Sequence, residues 1–144
     1  MTQLFKSTTL TKLLPQVIPY LKLLVLFGSR ARGDNHPNSD WDFAILYDEE
    51  LHEQTVKGFS RLELYSILAD ILEVSTDKID IVEINNCSTL VAHYIARDGK
   101  LLYEKETGLF DDFSQKALMT KTELQTLRQN WRQEIEQFLE KQGV

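Results

Sequence analysis

The stretch from residue 22 to residue 47 constrains this chain most: an apolar run, a turn of small polar residues, then a second apolar-rich run. Residues 22–27, KLLVLF, have the length of a strand and are apolar on both faces, so this strand is expected to be central in its sheet. Gly28 ends the run. The segment 28–39 holds Gly33, Asp34, Asn35, Pro37, Asn38 and Ser39, all turn formers. Residues 40–47, DWDFAILY, read as a second strand that returns beside the first.

The rest of the chain supplies cover for that pair. Residues 8–21 read as helical, with Pro15 and Pro19 favouring a short helix and an irregular approach to the first strand. Residues 58–73 read as a helix, with Phe59, Leu62, Tyr65, Ala69 and Leu72 at helical spacing. IDIVEI, 79–84, is a third strand. Asn85 and Asn86 can cap a helix that runs to about Arg97 and that Gly99 terminates. KLLYE, 100–104, is a short edge strand, and residues 109–141 are mostly helical. The expected class is α/β (α+β): one small mixed sheet flanked by helices, with C-terminal helices. Residues 1–105 are expected to form the core, and 106–144 a helical extension of the same domain.

A chain of 144 residues fits one domain and can bury a core without disulfides. Cys87 is the only cysteine, which excludes an internal disulfide and any metal site built on thiolates. No apolar run is long enough to cross a bilayer, and the first residues lack a basic segment leading into an apolar one. A cytoplasmic protein with no membrane partner is expected. The net charge of −6 argues against gripping nucleic acid by its phosphates and suits a basic protein partner.

The chemistry concentrates in Gly28-Ser29-Arg30-Ala31-Arg32-Gly33 and Ser39-Asp40-Trp41-Asp42. Side chains alternate along a strand, so Asp40 and Asp42 point one way and Trp41 and Phe43 the other, into a core. Two adjacent carboxylates repel when ionised, and a divalent cation between them relieves the repulsion. Mg²⁺ suits one or two carboxylates plus waters and substrate phosphates. Gly28 allows close approach of a phosphate, Ser29 adds a hydroxyl donor, and the following N–H groups could face an anion. Arg30 and Arg32 add positive charge, and the residues leave open which one faces the site. Asp80 lies between Ile79 and Ile81, where a buried carboxylate would be costly without a partner. If its strand pairs beside the second, Asp80 joins Asp40 and Asp42, and three carboxylates suit two-metal phosphoryl transfer.

Gly28-Ser29, ten residues, then Asp40-Trp41-Asp42 resembles the signature of the polymerase-β-like nucleotidyltransferases. The fuller text GSRARGDNHPNSDWDFAIL is similar to the minimal-nucleotidyltransferase group, MNT. The resemblance implies a polymerase-β-like fold from about residue 22 to 103. It implies a nucleoside triphosphate with Mg²⁺, transfer of the nucleotide to a hydroxyl, and release of pyrophosphate. It also implies that Gly28 and Ser29, with Arg30, Arg32 and Ser39, contact the nucleotide, that Asp40 and Asp42 bind metal, and that Asp80 matches a third carboxylate ligand or base. MNT members are antitoxins paired with HEPN ribonuclease toxins. The activity implied is therefore transfer of AMP from ATP to a toxin tyrosine, whose added charge and bulk block RNA.

Plainer readings compete with each feature. Glycine-serine after a strand is by itself a turn, and an aspartate pair is a solvated strand face; their combination on strand-turn-strand favours a site. Asp80 also fits an edge-strand surface, and Arg30 and Arg32 also fit surface salt bridges. His36 reads as a turn residue, His52 and His93 as structural, Cys87 as a plain buried thiol, and Asp111 and Asp112 as a solvated helix start. Leu124, Leu127, Trp131, Ile135 and Phe138 form a stripe at helical spacing that reads as a core face. Two rival functions remain open: modification of a small-molecule alcohol, and a non-catalytic binder that masks its partner.

Overall fold

The structure, a computed structural model, describes residues 7–54 and 59–143. In chain order the elements are α1 (Ser7–Val17), β1 (Leu21–Phe27), α2 (Ser29–Arg32), β2 (Trp41–Tyr47), α3 (Glu49–Gln54) and α4 (Phe59–Leu72). They continue with β3 (Ile79–Glu83), α5 (Thr89–Asp98), β4 (Lys100–Glu104), α6 (Leu109–Ala117) and α7 (Lys121–Lys141). The strands form one mixed sheet in the order β3-β2-β1-β4. β1 is antiparallel to both β2 and β4, and β2 is parallel to β3. The expected class holds, and the apolar run at 22–27 is the central strand it was expected to be.

Alternation along the strands divides the core between two faces. Leu24, Leu26, Phe43, Ile45 and Ile81 meet Leu14 of α1, Ile18 just after it, and Leu64 and Leu68 of α4. Val25, Phe27, Ala44 and Val82 lie on the opposite face, against Ile95 of α5 and Phe110 and Phe113 of α6. Each such side chain, when fully buried, contributes about 1.5–3 kcal/mol. The parity of Asp42 and Asp80 puts both on this second face, the one that α5 and α6 cover.

Three local expectations need correction. In α4 the inward row is Leu64, Leu68, Ala69 and Leu72, whereas Leu62 is 64% exposed. Spacing selected Ala69 and Leu72 correctly but not Leu64 and Leu68, because apolar residues cover more of this helix than one face; the side chain of Phe59 lies outside the described residues. α5 is capped by Ser88, whose Oγ accepts from the Val91 N–H at 3.2 Å. Asn85 instead extends the end of β2, accepting from the Tyr47 N–H at 3.1 Å and donating to the Tyr47 carbonyl at 3.0 Å. The stripe on α7 is a core face only in part, with Leu124 and Leu127 half-buried. Trp131, Ile135 and Phe138 are exposed, although Thr120 and Glu123 close a capping box that starts the helix firmly.

Gly99 ends α5 as expected, for a packing reason. A Cβ there would collide with the Ile95 carbonyl and with Val25 of β1. The C-terminus of α5 therefore lies tight on the strand that leads to Gly28. No helix among the described residues is long and apolar enough to cross a membrane.

Candidate active site

β1 delivers the chain to Gly28 at φ 75 and ψ −160, a conformation essentially restricted to glycine. A second constraint acts at the same position. A Cβ on residue 28 would overlap Oδ2 of Asp42 and lie 3.1 Å from its Cγ. The turn and the carboxylate are thus packed against each other, as the register Phe27↔Asp42 requires. Beyond Gly28 the chain makes one helical turn, α2. The N–H groups of Ala31 and Arg32 both return to the Gly28 carbonyl at 3.1 Å, and Gly33 closes the turn in the left-handed region with its N–H on the Ser29 carbonyl at 2.8 Å. The first N–H groups of such a turn have no acceptor within it, which leaves those of Ser29 and Arg30 aimed outward from its N-terminal end.

The parallel pairing of β2 with β3 sets Asp42 beside Asp80. Asp40 precedes β2 and has the same parity as Asp42. The Asp42 carboxyl is pushed up from the ordinary carboxylate range, first by burial, then by the negative charges of Asp80 and Asp40; Arg32 pulls it the other way. Asp80 itself is exposed on an edge strand, not buried as expected. Among the described residues no three carboxylate, imidazole or thiol groups converge closely enough to hold a metal ion unaided. The expected three-carboxylate cage is therefore not preassembled. The donor set still fits a hard cation: oxygen ligands only, and a half-buried Asp42 repelled by Asp80 and Asp40.

The two arginines separate cleanly. Arg30 braces the turn: Nη2 donates to the Ser39 carbonyl at 2.8 Å, Nε to the same oxygen at 3.2 Å, and the guanidinium stacks over Trp41 at 4.3 Å. Without a ligand, Arg30 makes this brace because the returning chain supplies carbonyls and an aromatic face within its reach. Ser39 belongs to the same brace, its Oγ accepting from the His36 N–H at 3.0 Å. Arg32 is the cation whose charge reaches Asp42. Its Nε meets Asp34 at 3.1 Å and its Nη1 meets Asp98 at 3.4 Å. Asp98 was missed by the sequence reading. The signal available was an acid in the last turn of a helix, the end at which the dipole disfavours negative charge.

The histidines behave as expected, whereas Cys87, expected to be buried, is half-buried. His36 stays in the turn, its Nδ1 accepting from the Asn38 N–H at 3.2 Å. His52 stacks on Tyr47, and His93 is buried with its Nδ1 accepting from the Met119 N–H at 2.9 Å. Burial pushes the Cys87 thiol up, away from reactivity.

Residues 9–108 match the family described as Polymerase beta, Nucleotidyltransferase. The chain belongs to the polymerase-β nucleotidyltransferases. Within that family it is 49% identical to the protein adenylyltransferase MntA of Aphanizomenon flos-aquae (strain 2012/KM1/D3), over 88% of this chain and 86% of the relative. It is 33% identical to the MntA of Shewanella oneidensis (strain ATCC 700550 / JCM 31522 / CIP 106686 / LMG 19005 / NCIMB 14063 / MR-1), over 88% and 85%. Among solved structures, a toxin–antitoxin crystal structure with AMP-PNP superposes with TM-score 0.62 at 30% identity, covering 91% of this chain and 98% of the other. A second, the tri-AMPylated Shewanella oneidensis HEPN toxin in complex with MNT antitoxin, gives TM-score 0.60 at 28% identity, covering 94% and 99%. This nucleotidyltransferase is thus an enzyme of the protein-adenylylating branch.

Proposed function

We propose that the chain is an antitoxin that transfers AMP from ATP to a tyrosine hydroxyl of a cognate HEPN ribonuclease toxin. The observation that carries the chemistry is the packing of Gly28 against Asp42, with Asp80 alongside in register. A phosphate resting on the turn would lie beside the carboxylates. The observation that carries the acceptor is the likeness to MntA adenylyltransferases and to toxin–antitoxin complexes over most of the chain.

In this reading the outward N–H groups of the Gly28–Ser29 turn and the Ser29 hydroxyl hold the triphosphate, and Arg32 balances its charge. Asp40 and Asp42 would hold Mg²⁺, with Asp80 as a further ligand or as general base. The ion supplies charge neutralisation at the triphosphate and lowers the cost of pyrophosphate leaving. Asp80, exposed on the edge strand, is open to an incoming protein hydroxyl and can accept its proton. The tyrosine oxygen forms a bond to the α-phosphorus, the bond from that phosphorus to the bridging oxygen breaks, and pyrophosphate carries away the electron pair. Residues 1–105 act as the catalytic unit and 106–144 as an extension of the same domain, whose exposed α7 stripe offers apolar surface to the toxin. ATP as donor and a lone thiol suit a cytoplasmic site of action.

A labelled-ATP reaction tests the proposal. Label should pass to the toxin in the presence of Mg²⁺ and stay with it after denaturation; label on small alcohols alone would overturn the acceptor assignment. The α7 stripe also favours a second reading, neutralisation by masking without chemistry. That reading predicts no label on the toxin at all.

A further inference from the structure

Arg32 is held by two acids of opposite character. Asp34 lies on the surface turn, 64% exposed at its side chain, and takes the Nε edge of the guanidinium. Asp98 is only 10% exposed and takes Nη1. Asp98 is itself fixed: Arg97 grips it with two hydrogen bonds of 2.9 Å, and the adjacent Gly99 is packed too tightly on Val25 to let the helix end shift. The acid at the wrong end of a helix is thus compensated by two guanidinium groups, one of which stands on α2, the turn that opens at Gly28.

A guanidinium offers separate donor edges, so one acid can leave while the other stays. We propose that Asp34 is a placeholder carboxylate that the nucleotide triphosphate displaces from Arg32, and that Asp98 is a positioning residue that keeps the guanidinium in place throughout. Asp34 is solvated, so its ion pair is weak and readily exchanged for a more highly charged phosphate. Asp98 belongs to the rigid frame of α5 on β1, so it holds the side chain in its binding orientation and reduces the entropy lost when nucleotide binds. The inference rests on the reading of Arg32 as a phosphate contact.

It predicts opposite signs for two removals of the same charge. Calorimetric titration of the intact protein with AMP-PNP and Mg²⁺ is the test. Asp34→Asn should tighten binding by about threefold, the scale of an exposed ion pair. Asp98→Asn should weaken it by about tenfold, the scale of one charge-assisted hydrogen bond. Asp98→Glu should recover part of that loss. In transfer assays the same variants should move KM for ATP and leave kcat near the parent value. If Asp34→Asn weakens binding, or Asp98→Asn leaves it unchanged in a protein with an unaltered melting curve, the inference is wrong. Arg32→Gln separates the levels. Unchanged binding in that variant removes both the arginine contact and this inference, while label reaching the toxin in the same variant leaves the proposed function standing.

Discussion

The corner between β1 and β2 and the helix α7 both carry rows of large apolar side chains, and the molecule treats them in opposite ways. At the corner every apolar side chain has a partner within the chain: Phe43 and Val25 are fully buried, and Trp41 lies under Arg30. On α7 Leu124 and Leu127 are half-buried, but the later part of the stripe is turned outward, with Phe138 61% and Ile135 59% exposed. Both patterns obey helix or strand periodicity. The first completes itself, and the second is left open by the described residues of this chain. A chemical site needs the first kind of order, because a carboxylate misplaced by an ångström loses its reaction. The docking role proposed for α7 would need only a firm helix, which the capping box provides.

The largest effect expected is at the corner. Asp42→Asn or Asp40→Asn should lower transfer by about a thousandfold or more, the scale of losing electrostatic stabilisation of a transition state. Melting curves should show the fold intact. Retained transfer in both variants would remove the chemistry from this corner. Gly28→Ala comes next: a Cβ there meets both a forbidden backbone conformation and Asp42, so stability should fall by about 1–3 kcal/mol in denaturant titration, with transfer lost as well.

The α7 stripe should answer differently. Trp131→Ala with Phe138→Ala should weaken toxin binding by about a hundredfold, as hot-spot aromatics do. Nucleotide binding and the melting temperature should stay near the parent values. A fall in melting temperature as large as that of a core truncation would show that α7 packs within the chain after all, and the contrast between the regions would collapse.

A smaller effect is carried by pH. The folded-state pKa of Asp42 is raised above its unfolded value by burial and by Asp80 and Asp40. Its charge therefore costs stability at neutral pH, and that cost is lost as pH falls through the raised value towards the ordinary carboxylate range. The parent should gain stability relative to Asp42→Asn over that window in free protein, and Mg²⁺ with nucleotide should abolish the difference. Parallel pH profiles for the two proteins would show that Asp42 is not strained by its neighbours.

Sequence reading reached the strand-turn-strand and the grouping of Gly28 with Asp42, because a centrally buried strand must be apolar on both faces and turn residues are chemically distinctive. It reached Asp80 only conditionally, since strand pairing across 38 residues depends on the whole sheet. It could not divide Arg30 from Arg32: α2 is one turn long, and what separates them is the Ser39 carbonyl on one side and Asp98, in α5, on the other. On α4 the reading reached Ala69 and Leu72 but not Leu64 and Leu68, because apolar residues cover more of the helix than one face. The α7 stripe was assigned to the core because periodicity reports that a face is apolar and not what covers it.

The most direct test of the whole account is the intact mass of the cognate HEPN toxin after co-expression with this chain, compared with co-expression with the Asp40→Asn, Asp42→Asn double variant. The account predicts toxin heavier in whole AMP steps with the parent and unmodified, active toxin with the variant. Toxin of unchanged mass that is neutralised equally by both proteins would contradict it.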